Sequence, residues 1–262
     1  MTEWNASEYD RVAALQATMA DEALSLLELQ GAESVLDIGC GQGRITSEIA
    51  ARVPRGRVIG VDASEKMIAF AREHAATAPK PNLEFAVADA RHLAFNHEFD
   101  LIVSFNALHW IPEQALALDS IRTAMKPFGL AQIRLVPKGA RKSLEDTIEE
   151  TRFLPRWAPY FDGFHDPYLH LTPEQYACLA ERRGFKVLRN HTSDKRWDFQ
   201  SHSAFEAFGS VTFIEWTQRL PDAARMEFVN DVLQRYRYVA CTRPGEENYF
   251  RFYQMDITLA GR

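Results

Sequence analysis

Apolar residues follow two different spacings along the first half of the chain. Up to about residue 30 they recur every three or four positions, which places them on one face of a helix. The members of this face are Val12, Leu15, Met19, Ala23, Leu26, Leu27 and Leu29. From there to residue 136, short apolar runs alternate with amphipathic stretches. They predict strands at 34–38, 57–62, 83–87, 100–105 and 130–136, and helices at 43–53, 64–76 and 114–125.

This alternation predicts the fold class. Strands separated by helices form a doubly wound α/β sheet that is mostly parallel and has helices on both faces. Right-handed crossovers bring the C-terminal ends of the strands to one edge, where sheets of this type bind ligands. Candidate functional residues are therefore expected just after the strands.

The regular alternation stops after Lys138. Residues 139–182 are mostly amphipathic helix with an aromatic stretch at 153–171, and we interpret them as a cap inserted after a core of about 30–137. A strand at 184–188, helices near 202–217 and 221–237, and a closing strand at 249–259 complete the pattern. We expect one domain over 1–262, with a seven-stranded sheet, an N-terminal helix, a helical cap, and C-terminal helices and strands over 184–262.

Composition narrows the class of partner. The chain has 262 residues and a formal net charge of −6 without a dense basic run, so nucleic acid is not an expected partner. Three separate cysteines form no metal or disulfide pattern, which is typical of a reducing compartment. With neither a leader pattern nor an apolar run of about 18 residues, a cytoplasmic protein without a membrane segment is expected. Proline and glycine at 161–170 indicate a loop, and no metal is expected there.

Three acidic residues occupy the ends of successive predicted strands: Asp37, Asp62 and Asp89. Asp37 opens the pattern Asp-x-Gly-x-Gly-x-Gly, with the glycines at Gly39, Gly41 and Gly43. Glycines let the backbone adopt a positive φ and approach a ligand closely. Asp62 is placed to accept hydrogen bonds from ribose hydroxyls, and Asp89 to bind an adenine amine.

The spacing of the glycines separates two kinds of nucleotide site. A dinucleotide fingerprint would need a further glycine at Arg44 or at Thr46, and a phosphate loop would need Gly-Lys-Ser/Thr. Asp37 would also repel a pyrophosphate, whereas it or neighbouring carbonyls could hold the ammonium of an amino-acid tail. A structural glycine turn with coincidental acids remains the alternative.

These residues resemble the class I S-adenosylmethionine-dependent methyltransferases. Residues 35–43 are similar to the first motif of that family, 60–64 to its ribose-binding segment and 88–90 to its adenine-binding position. The resemblance covers about 30–137 and implies a Rossmann-like fold and S-adenosylmethionine as cofactor. We expect the cofactor to be bound by Tyr9, Asp37, Gly39, Cys40, Gly41, Gly43, Asp62, Ala63, Met67, Asp89, Ala90 and Asn106.

Two further segments resemble narrower groups. Residues 4–9 are similar to the N-terminus of trans-aconitate methyltransferases, and 105–112 to a segment shared by these enzymes and insect juvenile hormone acid methyltransferases. Both groups esterify carboxylates. The second group implies that a helical glutamine and a tryptophan hold the substrate carboxylate, and Gln16 and Trp110 match those positions.

Carboxylate methylation is chemically simple, because a carboxylic acid with a pKa of about 4 is already ionised at neutral pH and needs no general base. Gln16 and Trp110 would orient its oxygen as neutral donors. If the acceptor were instead a hydroxyl, an amine or a carbon, His109 could serve as general base. A cofactor-binding protein without catalytic activity is the third hypothesis.

The cap adds candidates for the acceptor site. Trp157, Tyr160 and Tyr168 would line a pocket for a small acceptor, and their aromatic rings would suit a hydrophobic one. A cap with its own small core is the alternative interpretation. Tyr9 and Gln16 lie seven residues apart, and therefore on nearly the same helical face. We expect a monomer or a homodimer.

Overall fold

The computed structural model describes the backbone of residues 6–261 and the side chains of residues 14–261. Its strands are β1 Ser34–Ile38, β2 Arg57–Asp62, β3 Leu83–Val87, β4 Phe99–Phe105, β5 Met125–Leu135, β6 Phe185–Asp198 and β7 Tyr249–Gly261. Its helices are α1 Ala6–Ser25, α2 Arg44–Arg52, α3 Glu65–Thr77, α4 Gln114–Ala124, α5 Leu144–Arg152, α6 Pro173–Arg182, α7 His202–Thr212, α8 Ile214–Thr217 and α9 Asp222–Ala240. Short 3-10 helices span Leu108–Trp110 and Ala158–Phe161.

The strands form one seven-stranded sheet in the order β3-β2-β1-β4-β5-β7-β6. Strands β1 to β5 pair in parallel, with Leu36 of β1 opposite Ile59 of β2 and Ile102 of β4. Strand β7 runs antiparallel to β5. The predicted doubly wound, mostly parallel sheet is therefore confirmed.

The two faces of the sheet are covered separately, because successive residues of a strand point to opposite sides. Val35 packs in a cluster with Ile49 of α2, whereas the next residue, Leu36, packs in a cluster with Ile121 of α4. All four side chains are fully buried. Burying such a side chain contributes about 1.5–3 kcal/mol, so the apolar runs found in the sequence stabilise the core directly.

The chain divides into two compact units. One, the sheet unit, comprises Ala20–Pro137, Leu169–Ser193 and the chain from Gln254 onwards. The other, the helical unit, comprises the chain through Met19, Lys138–Tyr168 and Asp194–Tyr253. Of the expected cap at 139–182, the part up to Tyr168 lies in the helical unit and the rest, with α6, in the sheet unit.

Three predicted boundaries differ from the structure by five residues or more, and one of them is the start of β5, at Met125 rather than at 130. Helix α1 ends at Ser25 rather than near residue 30, because Glu33 accepts the backbone N–H groups of Gln30, Gly31 and Ala32 and fixes a loop there. Strand β6 extends to Asp198, ten residues beyond its predicted end at 188. It lies at the edge of the sheet, where its polar residues give no apolar period. Among the described helices, none is long and apolar enough to cross a membrane.

Candidate active site

The glycine loop connects β1 to α2 at the C-terminal edge of the sheet. The N–H groups of Gly39 and Cys40 both donate to the carbonyl of Val61, at 2.8 Å and 3.0 Å, which ties the loop to the end of β2. Gly39 has a φ of 73°, and a Cβ there would lie 2.1 Å from the Cβ of Ala107. Only glycine fits this close approach between the loop and the segment after β4.

Asp62 holds the same loop from the end of β2. Its Oδ2 accepts the N–H of Gly41 and its Oδ1 accepts the N–H of Ser64, both at 2.9 Å. Each carboxylate oxygen can accept more than one hydrogen bond, and Asp62 also lines the cavity described below. The predicted position of a carboxylate beside the glycine loop is therefore what the structure shows.

Asp37 lies beneath the loop and is only 2% exposed. Its Oδ2 accepts a hydrogen bond of 2.6 Å from the hydroxyl of Thr46, the third residue of α2. Burial raises the pKa of Asp37 to about 6; the Thr46 hydrogen bond opposes this and the nearby charge of Asp62 adds to it. Asp37 thus joins β1 to the first turn of α2, and its predicted contact with an ammonium group stays a prediction.

A cavity of about 450 Å³ opens at this edge of the sheet, a volume in the range of small-molecule sites. Seven of the predicted site residues line it: Gly39, Asp62, Ala63, Asp89, Ala90, Asn106 and Trp110. Three others, Cys40, Gly41 and Gly43, belong to the loop without lining the cavity, and burial raises the pKa of the Cys40 thiol. Met67 lies on α3 with 41% of its surface exposed.

Asp89 has a partner that we did not predict. Arg91 donates to both of its oxygens, from Nε to Oδ1 at 3.0 Å and from Nη2 to Oδ2 at 2.6 Å, and also pairs with Glu113. These hydrogen bonds hold the pKa of the Asp89 carboxyl below its ordinary value. The spacing of two residues could have suggested the pair, but nothing in the sequence marks Arg91 as inward-facing.

The segment after β4 forms the opposite wall of the cavity, with Asn106 and Trp110 among its lining residues. His109 is 5% exposed and does not line the cavity; its Nδ1 accepts the backbone N–H of Val136 at 3.3 Å. Burial lowers the pKa of His109 to about 3. A neutral ring with its Nδ1 lone pair occupied carries its proton on Nε2, so it is a poor candidate for a general base.

The remaining predicted residues belong to the helical unit. Gln16 is exposed on α1, and Tyr9 lies outside the residues whose side chains the structure describes. Trp157 is 1% exposed and its indole N–H donates to Asp231 at 2.8 Å, so this donor is used within the unit rather than offered to a ligand. The Trp157 ring packs edge-on against Phe228 of α9, which lies in the same unit but outside the expected cap at 139–182.

The other two aromatic residues expected to line the acceptor pocket differ in exposure. Tyr160 is 42% exposed, whereas Tyr168 is 6% exposed and burial raises its pKa well above the ordinary value. Whether either residue contacts an acceptor stays a prediction.

The residues at the cavity fit S-adenosylmethionine. The close approach at Gly39 leaves bare backbone beside the cavity, and Asp62 presents a carboxylate to it. These are the groups that a ribose and an amino-acid tail require. Asp62, Ala63 and the segment from Asp89 to Ala90 would hold the nucleoside part.

Comparison with known proteins agrees with this assignment. A methyltransferase domain family matches residues 35–129. The trans-aconitate 2-methyltransferase of Enterobacter sp. (strain 638) is 27% identical over 253 residues, covering 95% of this chain and 93% of that protein. The enzyme of the same name from Methylobacterium radiotolerans is 34% identical over 135 residues, covering 52% of this chain and only 50% of its own length.

Solved structures show the same fold. The phosphoethanolamine N-methyltransferase 2 of Haemonchus contortus, in complex with phosphomonomethylethanolamine and S-adenosylhomocysteine, has a TM-score of 0.60 at 18% identity. This match covers 92% of the present chain and 53% of that one. Given the loop, the acidic residues at the strand ends and these matches, residues 35–129 match a methyltransferase domain and the chain resembles the class I S-adenosylmethionine-dependent methyltransferases.

Proposed function

We propose that this methyltransferase acts on a small-molecule carboxylate and forms its methyl ester. The observation that carries the proposal is the lack of a competent general base among the described residues of the cavity. The ionisable residues that line it are Asp62, Asp89 and Arg91. Asp62 already accepts two backbone N–H groups, and Arg91 holds Asp89 in its ionised form.

His109 does not supply the missing base. Its ring is buried and neutral, and its Nδ1 lone pair is occupied by the N–H of Val136. A phenol, an alcohol or an ammonium group must lose a proton before or during methyl transfer, which favours a base. A carboxylate is already ionised at neutral pH and has no proton to lose.

The reaction is balanced without a proton transfer. The cofactor supplies a methyl group bound to a positively charged sulfur. An oxygen–carbon bond to the carboxylate forms as the sulfur–carbon bond breaks, and the products are a methyl ester and neutral S-adenosylhomocysteine. The chain's contribution is to bind, align and desolvate the carboxylate. Such a displacement is accelerated mainly by positioning of the two reactants and by removal of water from the attacking oxygen.

The residues proposed to orient the acceptor are neutral donors. Trp110 lines the cavity, and its indole N–H would donate to the carboxylate without protonating it. Gln16, exposed on α1, is proposed to donate from its amide. The names of the relatives support an acid as acceptor, since the Enterobacter protein matched over 95% of this chain is a trans-aconitate 2-methyltransferase.

The test is an acceptor panel of fatty, terpenoid and polycarboxylic acids beside phenols and amines, with ester formation followed by mass spectrometry. We expect acids to be methylated by the wild-type protein and by His109→Asn, which keeps an oxygen acceptor for the Val136 N–H but has no titratable group. Methylation of phenols or amines alone, lost in His109→Asn, would refute the carboxylate assignment and favour His109 as base.

Two variants test the acceptor contacts. Trp110→Phe keeps an aromatic ring but removes the indole N–H. Gln16→Glu replaces an amide donor by a negative charge, which would repel the acceptor's carboxylate. Both should raise the KM for an acid and leave the Kd for S-adenosylhomocysteine unchanged. A weaker Kd with an unchanged KM would instead place these residues at the cofactor.

A further inference from the structure

Asn106 lies where β4 ends and the wall of the cavity begins. Its φ is 57°, in the left-handed region that asparagine tolerates better than most residues. Its backbone N–H donates to the carbonyl of Arg134 on β5 at 2.8 Å, which fixes the main chain at this point. Asn106 is one of the residues that line the cavity, so the orientation of its carboxamide decides which of its polar atoms is left for a ligand.

Gln254 on β7 fixes that orientation. Its side chain is completely buried, and its Nε2 lies 3.2 Å from the carbonyl oxygen of Leu135 and 2.9 Å from Oδ1 of Asn106. A carbonyl oxygen only accepts, so the atom of Gln254 that faces Leu135 must be its nitrogen. That nitrogen donates its second hydrogen to Asn106, which must therefore turn its oxygen towards Gln254.

The consequence is that the Asn106 NH₂ is the part of the carboxamide left for the cavity. Within the described part of the chain, no acceptor takes a hydrogen bond from this group. The arrangement presents a neutral double donor at a wall that also carries Trp110. Two N–H groups on a fixed amide suit an oxygen anion, and hydrogen bonds to an ionised acceptor are the stronger kind.

Gln254 is not the side chain that would make this position most stable. Its Oε1 is buried and has no hydrogen-bond partner among the described residues. A buried acceptor left unsatisfied is destabilising, and an apolar side chain of similar shape would avoid that cost. A functional role for the amide explains why the cost is tolerated.

We propose that Gln254 is a positioning residue: it holds the Asn106 carboxamide so that the NH₂ of Asn106 donates to a carboxylate oxygen in the cavity. The carboxylate belongs either to the amino-acid part of the cofactor or to the acceptor. If the carboxylate is the acceptor's, the inference rests on the proposed function. If it is the cofactor's, the inference requires only that the chain binds S-adenosylmethionine.

The experiment compares Gln254→Met, Asn106→Asp and Asn106→Gly with the wild-type protein. Gln254→Met keeps the length of the side chain and removes both donors. Asn106→Gly keeps the left-handed backbone and removes the amide, so it separates backbone strain from the hydrogen bond. Gln132→Met is the matched control, because Gln132 is a buried glutamine on β5 that is bonded to Thr258 of β7 and does not line the cavity.

Calorimetry measures the Kd for S-adenosylhomocysteine and for 5′-methylthioadenosine, which lacks the amino-acid part. If the carboxylate belongs to the cofactor, Gln254→Met should weaken the affinity for S-adenosylhomocysteine by about 10-fold to 100-fold and leave the affinity for methylthioadenosine unchanged. If the carboxylate is the acceptor's, both affinities should stay the same and the KM of the methylated acid should rise instead. In either case Asn106→Asp should weaken binding of the carboxylate-bearing ligand more than Asn106→Gly does, because the aspartate adds a negative charge next to a negatively charged carboxylate.

The double variant decides whether Gln254 acts through Asn106. In an Asn106→Gly background, Gln254→Met should have no further effect on binding, since the group that it orients is gone. Three results would overturn the proposal: an undiminished effect of Gln254→Met in that background, an equal loss for the two nucleosides, or no change in either Kd or KM. Gln132→Met should leave every binding constant at its wild-type value. The calorimetric comparison remains decisive even if no acid in the panel is methylated, so the two proposals fail separately.

Discussion

Thr46→Val should expose the electrostatic role of the buried carboxyl beneath the glycine loop. The Thr46 hydroxyl donates to Oδ2 of Asp37 at 2.6 Å, and the two side chains are 0% and 2% exposed. Valine keeps the shape of threonine and removes the donor. Because the hydrogen bond favours the ionised carboxyl, its loss should raise the folded-state pKa of Asp37 further.

The sign of the pH dependence follows from that pKa. Burial raises the pKa of Asp37 from its ordinary 3.8 to about 6, so the folded chain binds the proton that the unfolded chain has already released in this window. The contribution of Asp37 to the free energy of unfolding therefore falls as the pH rises from 3.8 to about 6 and is constant above it. The difference between the folded-state and unfolded-state pKa values of Asp37 corresponds to about 3 kcal/mol of unfolding free energy.

The cost of the substitution should depend on the charge of Asp37. Above the folded-state pKa the lost hydrogen bond goes to a charged acceptor and contributes about 1.5–3 kcal/mol; to the protonated acid it contributes about 1 kcal/mol. Urea denaturation at about pH 8 and about pH 5 should therefore give a greater loss of unfolding free energy at the higher pH, by about 1 kcal/mol. Other titrating groups cancel in this comparison.

Ser104→Ala provides the control, because its buried hydroxyl donates to the neutral carbonyl of Ile38 at 2.9 Å. Its cost should be the same at both pH values. In an Asp37→Asn background, the cost of Thr46→Val should also become independent of pH. An equal cost of Thr46→Val at both pH values in the wild-type background would refute the assigned charge of Asp37.

Three further predictions address the cavity. Gly39→Ala would place a methyl group 2.1 Å from the Cβ of Ala107 at a φ of 73°, so calorimetry should detect no binding of S-adenosylhomocysteine; an unchanged Kd would contradict the close approach. Because burial lowers the pKa of His109 to about 3, the kcat/KM of an acid substrate should show no inflection near 6.5, and one that disappears in His109→Asn would contradict its buried, neutral state. Arg91→Met should raise the pKa of Asp89 towards its ordinary value, as measured by an NMR titration. Because the side chains of Arg91 and Asp89 are 38% and 35% exposed, the Tm of the protein should change little. A large fall in Tm would show that the ion pair is structural.

The central strands of the sheet were predictable because they are buried on both faces. β1, β2 and β4 are nearly continuous apolar runs, and helices long enough for crossovers separate them. The last part of β6 was not predictable, since an edge strand exposes its polar side chains and loses the apolar period. The end of α1 was missed because a single carboxylate, that of Glu33, competes for the backbone N–H groups that a longer helix would use.

The site divides in the same way. The position of Asp62 at the cavity was predictable, because the carboxyl ends of parallel strands meet at one edge of the sheet. The partners that determine the behaviour of the predicted residues were not identifiable, because they come from elsewhere in the fold. Thr46 bonds Asp37 from α2, and Gln254 bonds Asn106 from 148 residues away. Residue spacing predicts contacts within a helix or a strand, but not hydrogen bonds between distant elements.

Partners from several elements hold the wall of the cavity after β4. The side chain of Gln114, on α4, donates to the carbonyls of Leu108 and Ile111, and the backbone of Leu169 donates to the carbonyl of His109 at 2.8 Å. With Val136 and Gln254, these contacts fix the wall from four separate segments of the sheet unit. A wall that is fixed in this way would align an acceptor without rearranging, which is the form of catalysis that the proposed function requires. Replacing Gln114, a buried support outside the lining of the cavity, should therefore change acceptor KM and kcat more than cofactor affinity.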